Sequence, residues 1–266
     1  MRGISAKSLA DVLAAVDAAT DTTGDLGPEL FEIVATLDRE PALRRVLTDP
    51  STEPEAKAGL ASSVFGAQIS ADALTVLQSA VRGRWASGRD LTDGLETAGV
   101  TALVAAADAA GELDAVETEL FEIGRLVRSD GELRQAVSDR GIAPGAKAGL
   151  LANLLGGKVS STTLALASQA AAARTGSFEK ALAAFGETAA ARRNRLLAEV
   201  RVAYELSEDE KHRLAAALGK KYGRDVHLNI VVDPSVIGGI TASVAGEVVD
   251  GSMSTRLEVA RRRLAG

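Results

Sequence analysis

Residues 29–66 and 119–156 of this chain are two versions of one sequence. The first reads ELFEIVATLDREPALRRVLTDPSTEPEAKAGLASSVFG and the second ELFEIGRLVRSDGELRQAVSDRGIAPGAKAGLLANLLG. They align without a gap at an offset of 119 − 29 = 90, and fifteen of the 38 aligned positions are identical. The identities include Glu29 to Ile33 against Glu119 to Ile123, and Ala56 to Leu60 against Ala146 to Leu150. Self-similarity over a fixed period marks a repeated supersecondary unit, so the repeat decides the architecture before any single motif does.

The repeat is helical. Leu30, Ile33 and Leu37 fall at i, i+3 and i+7, as do Leu120, Ile123 and Val127, the spacing of one helix face. Pro54 and Pro144 precede the shared Ala-Lys-Ala-Gly-Leu run, and proline is tolerated in a first helical turn because its missing N–H has no partner there. The spacing predicts helices over 28–38, 41–48, 53–65 and 70–83, with counterparts ninety residues on. The alanine-rich stretch 88–110 reads as the last helix of the first repeat running into the first helix of the second, a stiff coupling.

The tail differs. Residues 196–204 alternate as a strand, as do 226–232, and 237–244 and 247–249 complete the set. Ser207 with Glu210 forms a capping-box pattern opening a helix that should end near Gly219. Ser252 caps a final helix with Leu257, Ala260 and Leu264 on one face and Arg261, Arg262 and Arg263 at the end that favours cations. The expected fold class is mainly α, with two helical-bundle repeats plus a small C-terminal α/β module. The expected domains are 1–105, 106–193 and 194–266.

Composition narrows the functions. A net charge of −6 makes a poor non-specific binder of nucleic acid. Cysteine is absent, which removes disulfides, thiolate catalysis and cysteine metal sites. No apolar run is long enough to span a membrane, and the N-terminus lacks a signal-peptide core, so any membrane association is expected through a partner, with no direct insertion. His212 and His227 have no companions at metal-ligand spacing. Gly156-Gly157-Lys158-Val159-Ser160 fails the phosphate-loop pattern, since Ala152 stands at its first glycine and Val159 at its hydroxyl position. The pairs Glu29/Glu32 and Glu119/Glu122 sit near expected helix starts, where they favour the dipole. Arg192, Arg193 and Arg195 read as a solvated helix face or hinge contact, with an anion or acidic-partner site as the alternative. Trp85, beside Arg82, Arg84 and Arg89, reads as core or cap, with partner contact as the sharper alternative. No catalytic constellation, metal site or cofactor is expected.

The tail from Val232 to Leu264 carries a family pattern. Asp233, Pro234, Ile237, Gly238, Gly239, Gly246, Asp250, Gly251, Ser252, Arg256 and Leu257 fall where the delta subunit of F-type ATP synthases, the oligomycin-sensitivity-conferring protein family, has its C-terminal signature. Pro41 to Arg44, Asp49-Pro50, Lys57 to Leu60 and Phe65-Gly66 resemble that family's N-terminal domain. The chain departs from the family in having two such domains. Its first helix, around Ala6-Lys7-Ser8-Leu9-Ala10, also lacks the aromatic usual there.

The resemblance implies a non-catalytic stator subunit, peripheral on the cytoplasmic face of the cell membrane. Its helical domain would hold the N-terminal segments of the alpha subunits at the catalytic head. Its α/β tail would meet the b-type stalk subunit, and the whole would resist rotor torque during proton-driven ATP synthesis. Of two roles for the repeat, two anchors or one anchor and a spacer, the divergence of surface against core favours the spacer. The reading from a different class is a generic helical-repeat scaffold unrelated to ATP synthesis.

Overall fold

The computed structural model describes residues 3–19, 24–139, 141–173, 176–193, 196–204, 206–223, 226–232, 240–244 and 247–250. Residues 1–192 and 193–266 are two compact units.

The first unit is a run of eleven described helices. Those of the first repeat are α1 (Ile4–Asp17), α2 (Leu26–Arg39), α3 (Pro41–Leu47), α4 (Pro54–Phe65) and α5 (Ala71–Arg82). A long helix follows, α6 (Gly88–Ala109). The second repeat adds α7 (Leu113–Ser129), α8 (Gly131–Ser138), α9 (Pro144–Leu155), α10 (Ser161–Ala171) and α11 (Phe178–Arg193). Prolines open α3, α4 and α9, as expected of residues with no N–H to satisfy. Ser70, Ser87 and Ser160 cap α5, α6 and α10 by accepting from the backbone N–H three residues on.

Two apolar clusters fill this unit, and α6 serves both. Leu91, Leu95, Ala98 and Ala102 enter the first cluster, while Val100, Leu103, Val104 and Ala107 enter the second. At about 100° per residue these two sets lie on roughly opposite faces of the helix. A boundary at 105 therefore falls inside a helix whose two sides are both buried.

Equivalent positions keep their burial while changing their volume. Leu30, Ile33, Leu37 and Leu47 of the first cluster correspond to Leu120, Ile123, Val127 and Val137 of the second. Leu77 and Val81 give way to the smaller Ala167 and Ala171, whereas Ala61, Thr92 and Leu95 give way to the larger Leu151, Leu182 and Phe185. Losses and gains offset each other, the kind of exchange a packed core tolerates best.

Helix ends are tied the same way in both repeats. Lys57 is buried, and its Nζ reaches the Gly83 carbonyl at 3.5 Å, just past the end of α5. Lys147 is also buried, and donates to the Ala171 carbonyl at 3.2 Å, at the end of α10. A cation there meets the negative end of the helix. Burial, together with the nearby Arg84, pushes the Lys57 amine below the ordinary lysine range, with Asp49 pulling the other way.

The second unit holds a four-stranded sheet of order β2-β1-β3-β4, from β1 (Leu196–Val202), β2 (Val226–Val232), β3 (Ile240–Val244) and β4 (Glu247–Asp250). β1 pairs parallel with β2, with Val200 opposite Ile230, and antiparallel with β3, with Val200 opposite Ala242. The parallel pair requires a crossover, supplied by α12 (Glu208–Tyr222). Leu218 of α12, with Leu214 and Tyr222 beside it, packs in a cluster with Val200, Val202 and Ala242. The capping box of Ser207 and Glu210 forms as the spacing predicts. The helix does not end at Gly219; it runs one turn further, to Gly223, whose φ of 68° is left-handed and closes the helix. β1 stops at Val202 rather than 204. Of the expected strand 237–244 only 240–244 is described, and the helix expected after Ser252 lies outside the described residues.

The contact between α2 and α6 rests on glycine. The ring of Phe31 lies on Gly99 of α6, where an added Cβ would stand 2.5 Å from Cε1. Gly99→Ala should lower stability by about 1–3 kcal/mol through overpacking, although alanine is the better helix former; urea denaturation checks it. Asp90, in the first turn of α6, accepts from Ser5 at 2.5 Å and from Ser87 at 2.7 Å. These hydrogen bonds, Ser5 first, hold its carboxyl below the usual 3.8. Its contribution is therefore present above that value and lost as pH falls through the lowered one. The urea midpoint should fall in that window, and fall less in Asp90→Asn.

Candidate functional site

The candidate residues are built mostly into structure. Glu29 accepts from the Ser70 amide at 3.0 Å and its hydroxyl at 2.5 Å. Glu119 does the same with Ser160, accepting from its amide at 3.0 Å and its hydroxyl at 2.9 Å. Each carboxylate thus fixes the N-cap residue of the fifth helix of its repeat. α7 begins at Leu113, so Glu119 and Glu122 are not in a first turn as expected; the helix gains more than a turn ahead of the repeated segment. The recurrence of Ser70 and Ser160 ninety residues apart was the available signal for these ties.

The basic cluster is internal in part. Arg192 has a side chain 16% exposed and bonds Asp108 at 2.9 Å, with Asp17 at 3.7 Å. It ties α11 to α6 and α1, and is not a solvated face. Nothing is described of the Arg193 side chain, and Arg195 lies outside the described residues. Trp85 is buried; its Nε1 donates to the Ala80 carbonyl at 2.8 Å and its ring lies against Gly94. It is a core and capping residue. Arg82 forms a paired contact with Glu55 at 3.0 Å. Lys158, in the segment that fails the phosphate-loop pattern, donates to the Leu154 carbonyl at 2.9 Å, at the end of α9. His212 is exposed on α12, and His227 lies in β2 opposite Leu197. Among the described residues no group of three or more His, Asp or Glu side chains could hold a metal ion. No described helix is long and apolar enough to cross a membrane.

The tail signature falls largely outside the described residues. This holds for Asp233, Pro234, Ile237, Gly238, Gly239, Gly246, Gly251, Ser252, Arg256 and Leu257. Asp250 is described in backbone only, at the end of β4 opposite Thr241.

What the first unit offers instead is a groove. A cavity of about 280 Å³ opens between α7 and α11. α7 lines it with Glu117, Leu120, Phe121, Gly124 and Arg128, and α11 with Glu179, Leu182, Ala183 and Gly186. Phe121 stands 61% exposed at its edge, the most exposed large apolar side chain described. The Ser177 hydroxyl first, then a backbone amide, hold the Glu179 carboxyl below its usual range against desolvation, with Arg134 and Arg128 adding to the effect. Sequence reading passed over Phe121, because an aromatic inside a repeated helix reads as core.

Helices stacked in repeats around two apolar clusters, together with a small mixed sheet, define a helical-repeat protein with an α/β module. Relatives narrow the class. A model of the ATP synthase delta (OSCP) subunit family matches residues 100–264. ATP synthase subunit delta of Streptomyces coelicolor is 46% identical over 270 residues, covering 100% of this chain and 98% of that protein. The subunit delta of Thermobifida fusca is 43% identical over 269 residues, covering 100% of both. This chain belongs to the ATP synthase delta (OSCP) subunit family.

If the Glu119 tie fixes the start of α10, Glu119→Ala should cost about 1–2 kcal/mol. Amide hydrogen exchange at Ser160 should accelerate while that of Ser70 stays unchanged.

Proposed function

We propose that this chain is a non-catalytic stator subunit of an F-type ATP synthase. It links the N-terminal segments of the alpha subunits, at the catalytic head, to the b-type peripheral stalk. The observation that carries the reading is similarity along the whole chain to proteins named ATP synthase subunit delta, from α1 to the tail. It acts peripherally, on the cytoplasmic face of the cell membrane.

A stator holds against torque while the rotor turns, so it needs stiff joints rather than reactive groups. The first unit has the construction for this. Its two clusters share α6, so bending one against the other would break a continuous helix and expose both apolar faces. Arg192 adds a bracket from α11 to α1 and α6. We take 1–105 and 106–193 as two helical domains overlapping in α6, and 194–266 as the α/β domain. The match to the family begins at residue 100, so the second repeat and the tail together resemble the family's usual length. The first repeat is then the added piece, a spacer that lengthens the bridge between head and stalk. Helix-in-groove docking is the mode of recognition suited to such a bundle.

Purified full-length chain, mixed with the synthase head and the soluble segment of the stalk, should form a ternary complex on size-exclusion chromatography. A folded chain that binds neither would return the protein to the generic scaffold class.

A further inference from the structure

A chain built from two like repeats has to match each helix with its own repeat. The first part of α6 and the whole of α11 are equivalent, since Gly88 corresponds to Phe178 and Leu103 to Arg193. Each closes its repeat against a helix that carries the same ELFEI segment, α2 in one case and α7 in the other. Duplicated units in one chain misassemble by exchanging such elements, within a chain or between two chains. Apolar positions that are alike in both repeats do not prevent the exchange.

One corner of each repeat differs in charge. Three positions meet there: the end of the second helix, the third helix and the first turn of the closing helix. In the first repeat they are Asp38, Arg44 and Arg89, and in the second Arg128, Arg134 and Glu179. Arg44 pairs with Asp38 at 3.1 Å, and its Cγ lies 3.4 Å from where a Cβ on Gly88 would stand, so it spans α2 and the start of α6. Arg134 donates toward the Arg128 carbonyl at 3.5 Å, and Arg128 and Glu179 line the same cavity. After the Ser177 hydroxyl and a backbone amide, Arg134 and Arg128 help to hold the Glu179 carboxyl below its usual range. The arginine of the third helix is thus constant, while the acid and the base on either side of it have changed places. Glu40 and Asp130, at the starts of α3 and α8, are alike and do not discriminate. Asp90 is taken up by Ser5 and Ser87, and the side chain of its counterpart Lys180 lies against Gly176.

We infer that this exchange of charges is a pairing code, which makes each closing helix the electrostatic partner of its own repeat. A correct corner holds two arginines and one carboxylate, hence two attractions and one repulsion. Were α11 to close the first repeat, Asp38 and Glu179 would share Arg44, again two attractions and one repulsion. The other corner would then hold Arg89, Arg128 and Arg134 with no carboxylate, three repulsions. Over both corners the correct pairing has four attractions and two repulsions, and the exchanged pairing two attractions and four repulsions. Specificity is a difference between alternatives, and like charges placed against the wrong one contribute to it as contacts in the right one do. The difference is about four pair interactions, and at the strength of exposed ion pairs this prefers the correct pairing roughly tenfold. The inference concerns how the chain assembles and does not depend on the stator reading.

The test is refolding of the full-length chain from urea over a range of protein concentrations, with monomer and larger species separated by size-exclusion chromatography. Asp38→Arg with Arg89→Glu gives the first repeat the corner of the second. The native state keeps its charge balance, so the urea midpoint should stay near that of the wild type. Misassembled species, among them dimers that grow with concentration, should increase roughly tenfold over the wild type. Adding Arg128→Asp and Glu179→Arg reverses the code without erasing it, and should return monomer recovery to the wild-type level. In about 1 M sodium chloride, where the screening length falls to about 3 Å, the wild type and the double variant should converge. Equal recovery of wild type and double variant at low salt overturns the inference, as does a gap between them that persists at high salt. A double variant that misassembles or fails to fold, and is not rescued by the two further substitutions, overturns it as well, because local damage then accounts for the loss.

Discussion

Residues 1–192 depend on a helix that is apolar on two sides. Most helices of a soluble protein bury one stripe and leave the other to water. α6 buries Leu91, Leu95, Ala98 and Ala102 on one side and Val100, Leu103, Val104 and Ala107 on the other. Neither repeat can close its cluster without it. The first repeat would lose the partner of α2, and the second would lose its first helix. The alanine content of α6 follows from the same constraint. Helices that pack on both sides must let neighbours approach, and Ala98, Gly99, Ala102 and Ala107 keep the surface low while alanine keeps helix propensity high.

Around this shared helix the remaining elements are held by polar ties at their ends. Glu29 and Glu119 hold the beginnings of α5 and α10, and Lys57 and Lys147 hold their far ends. The fifth helix of each repeat is thus fixed at both termini by side chains from other helices. A buried charge is costly unless it is paired or hydrogen-bonded, which each of these lysines is, by a helix-end carbonyl. The arrangement gives a stator what hydrophobic packing alone supplies poorly. Apolar contacts are non-directional, while hydrogen bonds between distant helices resist sliding along the helix axes.

Much of this was legible in the sequence. The ninety-residue repeat, the proline starts of α4 and α9, the serine caps and the alternating strands each have a local cause. The continuity of α6 could be read from an alanine-rich stretch without a breaker. What could not be read depended on distant partners. Glu29 and Ser70 are 41 residues apart, as are Glu119 and Ser160, and no local rule joins them. Arg192 looked like one of a surface cluster because Asp17 and Asp108 are brought to it only by the fold. Gly219 looked like a helix stop, but a helix continues through an isolated glycine when the next turn packs, and Tyr222 packs with the third cluster. The tail signature is the reverse case, plain as a pattern and almost entirely outside the described residues.

Phe31 and Phe121 are the same residue of the repeat in two settings, partly buried against the second cluster in one copy and 61% exposed in the other. The two segments ELFEI are identical, so local preference is the same in both. The surroundings differ on both helices, since Gly27 and Gly99 at the first contact correspond to Glu117 and Ala189 in the second repeat. Elsewhere in the repeats larger changes, such as Thr92 to Leu182, are absorbed because another position shrinks. At Gly99 no compensation is available, since the ring and the helix backbone are already in contact and the added methyl has no free volume to enter. Phe31 joins the first repeat to the second by lying on α6 and against the second cluster, and the same residue of the second repeat stands 61% exposed because no counterpart of that contact forms around it among the described residues.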